Sequence, residues 1–230
     1  MRYRASRLLF LVLLALGALT GCAHNQKPVG LDPQFWADTK PVIGIAMSPV
    51  PPPRLALTGN QGLIELGINT AVNNTLSTAV AGWGTDDFKA LPEDLAARLE
   101  AKGFKVKRIP EQIDLSKYKQ TSWREGYVDR DLSALKAQYG IDRLLLVSVN
   151  STGAFRSYYS VVPTSAPTPQ VGGVGLLMDT ADNHLIWYKP FAVVQPAQGE
   201  WDQPGYANLS NAWYQAVDGG RQQVLAPFAP

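Results

Sequence analysis

Cysteine and histidine are almost absent from this 230-residue chain, which has one cysteine, Cys22, and two histidines, His24 and His184. One thiol cannot form an internal disulfide or a site with several cysteine ligands. Transition-metal sites and serine-type triads both depend on histidine, so two histidines make either one improbable. The sequence therefore favours a non-catalytic protein with no metal and no bound cofactor.

A hydrophobic run long enough to cross a bilayer is also missing. Three arginines in the first seven residues precede an apolar run from Leu8 to Leu19, and polar residues resume at His24. A transmembrane helix needs about 20 apolar residues, so this run is too short. A basic start, a short apolar core and small residues at its end are typical of a cleaved signal peptide, here residues 1–21.

The four residues "LTGC", from Leu19 to Cys22, end this apolar run. They resemble the lipobox of bacterial lipoproteins, which implies cleavage between Gly21 and Cys22 and attachment of diacylglyceryl and acyl chains to the Cys22 thiol. Two or more chains anchor a soluble domain durably, whereas one chain does so only marginally. In such lipoproteins an Asp after the cysteine favours inner-membrane retention. Since Ala23 stands there, the resemblance implies an outer-membrane protein that faces the periplasm.

Excess positive charge is absent once the signal is removed. The full chain has 21 basic and 19 acidic residues, but three of the arginines belong to the signal, which leaves 18 basic against 19 acidic residues. The densest basic group is Lys105, Lys107 and Arg108. Nucleic-acid binding requires a basic surface, so the sequence argues against such a partner.

The mature chain divides into a short leader and one domain. Residues 22–40 are polar and contain two prolines, which predicts a tether between the lipid and the domain. Phe35 and Trp36 are expected to dock on the domain. Residues 41–230 are enough for a single periplasmic domain of ordinary size.

Charge is scarce between residues 55 and 85, where Glu65 is the only charged side chain. Apolar residues recur there every four positions, which predicts an amphipathic helix over 63–80; they are Ile64, Ile68, Val72, Leu76 and Val80. This segment either packs on the domain, mediates self-association or enters a membrane. An uncharged apolar stripe usually marks a contact, so packing or self-association is favoured over insertion.

Two helix-to-strand units follow. A helix from Pro92 ends at Gly103 and leads into the alternating strand 104–109, and a helix from Asp129 or Asp131 ends at Gly140 and leads into the apolar strand 143–149. A strand apolar enough for burial on both faces implies partly parallel pairing, with helices packed against the sheet.

The last third of the chain predicts strands and one helix. The strand-like segment 154–162 leads into the proline-rich loop 163–170, and 174–194 predicts a hairpin that turns at 181–183. Pro190 places the second hairpin strand at an edge or a bulge. A final amphipathic helix carries Leu209 and Trp213, and Gly219 and Gly220 are expected to break it.

Two segments in this order, "IDRLLLVSV" and "LLMDTADNHLIWY", resemble envelope lipoproteins whose periplasmic domain is similar to the amino-terminal domain of TolB. Asp179 and Trp187 match the resemblance, whereas the usual turn glycine is replaced by "DNH". The resemblance implies an α/β (α+β) sandwich of two or three layers, with a mixed sheet of about five or six strands and helices mainly on one face. Such a likeness fixes no function.

Two functions remain open. The first is a lipid-anchored protein that binds other envelope proteins or copies of itself to assemble or stabilise an envelope or export complex. Its predicted contact surface is formed by Ile64, Ile68, Val72, Leu76, Pro163, Pro167 and Pro169. The second is an envelope hydrolase acting on peptidoglycan or another glycan, for which the carboxylate pair Asp86 and Asp87 and the turn residue His184 are the available groups.

Overall fold

The computed structural model describes residues 25–229. It contains seven strands, β1 (Val42–Met47), β2 (Arg54–Asn60), β3 (Lys105–Arg108), β4 (Arg143–Tyr159), β5 (Val162–Pro163), β6 (Thr168–Asp179) and β7 (Leu185–Val194). Its α-helices are α1 (Leu63–Val72), α2 (Asn74–Ala81), α3 (Leu91–Ala101), α4 (Ala134–Tyr139) and α5 (Ala207–Leu225). Short 3₁₀ helices span Pro33–Ala37, Asp86–Ala90, Leu115–Lys117, Pro204–Tyr206 and Ala226–Phe228.

One mixed sheet organises the domain, in the order β3-β1-β4-β6-β7, with β2 and β5 also paired to β4. The pairs β1–β3, β1–β4 and β2–β4 are parallel, whereas β4–β6, β6–β7 and β4–β5 are antiparallel. This confirms the predicted α+β class and the partly parallel sheet. The sheet has seven strands instead of five or six because β2 and the two-residue β5 were not predicted.

Strand β4 is the longest element of the sheet and joins two segments that the sequence predicts as separate strands. A register shift between Val149 and Ser151 accommodates Asn150 without ending the strand. β6 pairs along one edge of β4, while β1 and then β2 pair in line along the other edge. The proline segment 51–53 carries the chain from β1 to β2, and Thr152 Oγ1 donates a hydrogen bond to the Pro51 carbonyl (2.8 Å).

Helices cover both faces of the sheet. On the first face α2, α3 and α5 pack against alternate strand residues such as Ile43, Ile45 and Leu145. On the second face α4 and the loop 109–132 cover the intervening residues, including Leu144 and Leu146. Most helices therefore lie on one face, as predicted, but the second face is also closed.

Two predicted helix boundaries are wrong. Helix α5 continues through Gly219 and Gly220 to Leu225 instead of breaking there. A Cβ on Gly220 would lie 3.1 Å from Val171 Cγ1, so this glycine lets the helix approach the sheet closely. Helix α4 is shorter than predicted and begins at Ala134, while Gly140 ends it in the left-handed conformation (φ 59°), as expected.

Much of the segment predicted as a tether lies on the domain. The backbone of Val29 pairs with that of Tyr188 (2.8 and 3.0 Å). Phe35 is buried and stacks on Phe104, with 4.8 Å between the ring centroids. Gly21 and Cys22 lie outside the described residues. Within residues 25–229, the helices are all too short or too polar to cross a bilayer.

Candidate functional site

Helix α1 exposes its apolar side chains to solvent. The exposed fractions are 89% for Leu63, 77% for Ile64 and 72% for Val72, and Ile68 is 47% exposed. A surface helix normally turns such residues toward the core. We refer to the surface formed by Leu63, Ile64, Ile68 and Val72 as the α1 face.

The side of α1 that touches the domain is polar. Asn69 is the only buried residue of this helix, and its Nδ2 donates hydrogen bonds to Gln61 Oε1 and to the Ser160 carbonyl, both at 2.9 Å. Asn73, directly after the helix, donates to the Asn69 carbonyl and to the Tyr158 hydroxyl, both at 2.6 Å. Buried amides with these partners fix which side of the helix faces the sheet.

Two residues of β4 complete this polar contact. Arg156 Nη1 donates a hydrogen bond to Asn73 Oδ1 (2.9 Å), and the Arg156 guanidinium also lies 5.6 Å from the centre of the Tyr158 ring. The amide of Asn73 therefore uses both its oxygen and its nitrogen. These polar contacts hold α1 on the sheet, and Leu63, Ile64 and Val72 remain exposed to solvent.

The turn between β4 and β5 adds apolar surface next to α1. Ser160 accepts the hydrogen bond from Asn69 and its own backbone N–H donates to the Asn60 carbonyl (2.8 Å). The flanking residues Tyr159, Val161 and Val162 are exposed by 66%, 45% and 60%. Contiguous exposed apolar surface of this kind marks interaction sites.

The structure separates the predicted contact residues into exposed and buried groups. Ile64, Ile68 and Val72 are exposed, as is Pro163 in β5. Leu76 is only 3% exposed because the helix is interrupted at Asn73 and α2 turns its apolar residues into the core. Assigning Leu76 to a contact surface is therefore wrong for the described chain.

The second proline-rich loop contributes less surface than predicted. Pro167 and Pro169 are buried, since Pro169 is the second residue of β6 and pairs with Ala154. Their predicted place on the surface is wrong.

Asn69 and Asn73 were not identified from the sequence as residues that position α1. Two asparagines spaced four residues apart within an apolar helix could have indicated a polar contact on that side of the helix.

The candidate catalytic groups have structural contacts. Asp86 forms an ion pair with Lys89 (2.6 Å) in a 3₁₀ helix. His184 lies beside the ring of Tyr127, with 5.1 Å between centroids, and its backbone N–H donates to Asp182 Oδ1 (2.9 Å) in the β6–β7 turn. Within the described residues, acidic, histidine and cysteine side chains form no cluster suited to a metal ion.

Sequence comparisons reveal no relative. No protein-family model matches the chain, and no curated protein matches it significantly.

Solved structures show distant similarity of fold. A PelC dodecamer from Paraburkholderia phytofirmans is 11% identical, with a TM-score of 0.39, and the match covers 88% of this chain and 94% of that chain. Lipoprotein GNA1162 from Neisseria meningitidis is 12% identical, with a TM-score of 0.32 and coverage of 78% and 99%. Protein XCC0632 from Xanthomonas campestris is also 12% identical, with a TM-score of 0.33 and coverage of 80% and 92%. One of these similar structures is thus a bacterial lipoprotein, but likenesses this weak carry no argument about function.

Proposed function

We propose that this protein is a non-catalytic lipoprotein of the outer membrane whose periplasmic domain binds copies of itself through the α1 face. This association would help to assemble or stabilise an envelope or export complex. The observation that carries the proposal is the orientation of α1, which buries Asn69 and exposes Leu63, Ile64 and Val72.

The α1 face suits a second copy of itself. None of its four side chains is charged, so two copies that meet through these residues bury no ion among them. Two exposed small residues of the same helix, Gly67 and Ala71, lie next to this face, beside Ile64 and Ile68. A Cβ on Gly67 would have no atom within 4 Å, so the backbone at this position is open to close approach by another helix. Such a surface can pair with its own copy about a two-fold axis.

The lipid anchor belongs to the proposal through Cys22 and the LTGC motif. Three Cα steps separate Cys22 from Asn25, and each spans at most about 3.8 Å, so the described domain begins within roughly 11 Å of the acylated residue. The next residues are fixed to the domain, because Gln26 Oε1 accepts from the Gly126 N–H (2.9 Å) and Lys27 pairs with Glu125 (3.2 Å). An anchored domain would therefore lie close to the bilayer.

The association is tested with full-length protein purified in detergent. Molar mass is measured by light scattering over a range of protein concentrations for the wild type and for Ile64→Asp. We expect the wild type to associate and Ile64→Asp to weaken association by at least about tenfold, because a carboxylate would be buried without a partner. Val194→Asp is the matched control, since Val194 is 50% exposed on the edge strand β7.

Two outcomes contradict self-association. One is a wild type that stays monomeric at every concentration, and the other is equal association of Ile64→Asp and the wild type. If the wild type is monomeric but retains another envelope protein that Ile64→Asp loses, the α1 face binds that protein instead. Asp86→Asn and His184→Ala should associate like the wild type.

A further inference from the structure

The strand order creates a crevice between β1 and β3. The chain leaving β1 continues through the proline segment 51–53 into β2 of the same sheet and returns to β3 through α3 on the first face, whereas the chain leaving β3 crosses the second face. The chains leaving the carboxyl ends of these two neighbouring parallel strands therefore separate. In open α/β sheets, ligands bind in the crevice at such a point.

A cavity lies at this position. Its volume is about 490 Å³, within the usual range for small-molecule sites. Met47 and Val50 line it from the end of β1, Ile109 lines it from the end of β3, and Pro92 lines it from the start of α3. The cavity thus lies at the carboxyl ends of two neighbouring parallel strands.

The arginine of this cavity is already occupied. Arg108 donates to both oxygens of Glu93, through Nε (2.6 Å) and Nη2 (2.8 Å), and to both oxygens of Glu100, through Nη1 (2.7 Å) and Nη2 (3.2 Å). These hydrogen bonds lower the pKa of both carboxyl groups. One guanidinium against two carboxylates leaves the cluster with a net charge of −1, and the guanidinium is not available to an anionic ligand.

The other charged residues increase the negative balance. Glu111 lines the cavity and is exposed, and among the described residues it takes part in no ion pair. Burial raises the pKa of the Tyr139 hydroxyl, and the charge of Glu111 and a hydrogen bond to its carboxylate raise this pKa further. Lys89 also lines the cavity, but its charge is balanced by Asp86 at 2.6 Å. The site therefore attracts a cation.

From this geometry we infer that the cavity binds an aliphatic ammonium group, either on a free amine or at the end of a lysine side chain. The ammonium group would bind Glu111 and Glu93, and its methylene groups would lie on Met47, Val50 and Pro92. Among the described residues that line the cavity none is aromatic, so it offers no surface on which a sugar or a nucleobase could stack. The inference is independent of the proposed self-association.

Methionine provides a direct reporter for this site. Met47 lines the cavity, whereas Met178 is fully buried on the second face of the sheet and serves as an internal reference. Full-length protein labelled with ¹³C at the methionine methyl groups is titrated with 1,5-diaminopentane, with a lysine capped at both ends, with the neutral 1,5-pentanediol and with the dianion glutarate. We expect a saturable shift of the Met47 methyl resonance with the diamine or the capped lysine and no shift of Met178.

The variant Glu111→Gln keeps the shape of the site and removes one negative charge. We expect it to weaken binding by about tenfold, as for the loss of one charge-assisted hydrogen bond. Glu200→Gln, an exposed residue that does not line the cavity, should bind like the wild type. Because Ile64→Asp acts on a different surface, it should also bind like the wild type even where it abolishes association.

The titration separates the two sources of the ammonium group. Tighter binding of the diamine assigns the site to a free amine, and tighter binding of the capped lysine assigns it to a polypeptide. Equal binding of the diol, preference for glutarate, no saturable shift with any probe, or an unchanged affinity in Glu111→Gln would each overturn the inference.

Discussion

Helix α1 should respond to substitution in the opposite way to an ordinary surface helix, and Ile64 and Asn69 provide the test. Ile64→Gln exchanges a side chain that is 77% exposed and makes no core contact, so the free energy of unfolding should change by less than about 0.5 kcal/mol. Asn69→Ala removes two hydrogen bonds of 2.9 Å and leaves the Ser160 carbonyl without this partner. A lost buried partner costs about 1–3 kcal/mol.

The expected cost for Asn69→Ala lies in the lower part of that range. Its Oδ1 is buried without a partner, so removing that atom relieves a small existing penalty, and Gln61 is partly exposed and can bind water. We therefore expect a loss of about 1–2 kcal/mol, measured by urea denaturation at a protein concentration low enough to keep the chain monomeric.

The comparison of the two variants decides the orientation of the helix. A larger loss for Ile64→Gln than for Asn69→Ala in dilute protein would refute it, because the apolar side would then face the core. At higher concentration, Ile64→Gln should lose the additional stability that the proposed self-association would give the wild type.

Three further predictions concern other parts of the chain. In Arg108→Met, the two glutamates that bind Arg108 lose the hydrogen bonds that keep their pKa below the ordinary value of 4.5. The pairing stabilises the fold above pH 4.5, and this contribution is lost as the pH falls through the pKa values of the two glutamates in the folded state. The difference in melting temperature between the wild type and Arg108→Met should therefore shrink in acid. Lys89→Met should show no comparable trend. Gly175→Ala should destabilise the fold by about 1–3 kcal/mol in urea, because its Cβ would overlap the buried ring of Trp187. Cys22→Ser should abolish labelling by a radioactive fatty acid and leave the unprocessed precursor on a gel, and labelling that persists would refute lipidation at this residue.

The sequence allowed the centre of the sheet to be predicted because its signals are local. The segment 143–149 is apolar at almost every position, and such a strand is buried on both faces. Strand β2 gave no comparable signal: its first residue and its last three are exposed, and its pairing with the distant end of β4 defines it. Pairing between segments about a hundred residues apart leaves no periodic trace in either one.

The candidate site was predictable only in part for a related reason. The period of four residues correctly identified an apolar stripe that includes Ile64, Ile68 and Val72, but a period does not determine whether a stripe faces the core or the solvent. That choice depends on the partners of Asn69 and Asn73 in β4, which only the tertiary structure brings together. The interruption at Asn73 separates Leu76 from the stripe for the same reason.

The small size of the α1 face is consistent with a protein held on a membrane. One helix of ten residues, Leu63–Val72, and an adjacent turn give a modest contact area. In solution, the favourable free energy of this contact must offset the loss of translational and rotational freedom on association. Anchoring through Cys22 would confine every copy to one surface in a similar orientation, which raises the effective concentration without any new contact. A weak contact would then suffice on the membrane. Accordingly, crosslinking between copies of the wild type should be extensive in intact cells and weaker in detergent at the same bulk concentration. Ile64→Asp should show no crosslinking in either setting. Crosslinking in cells that survives this substitution would show that the anchor and the α1 face do not act together.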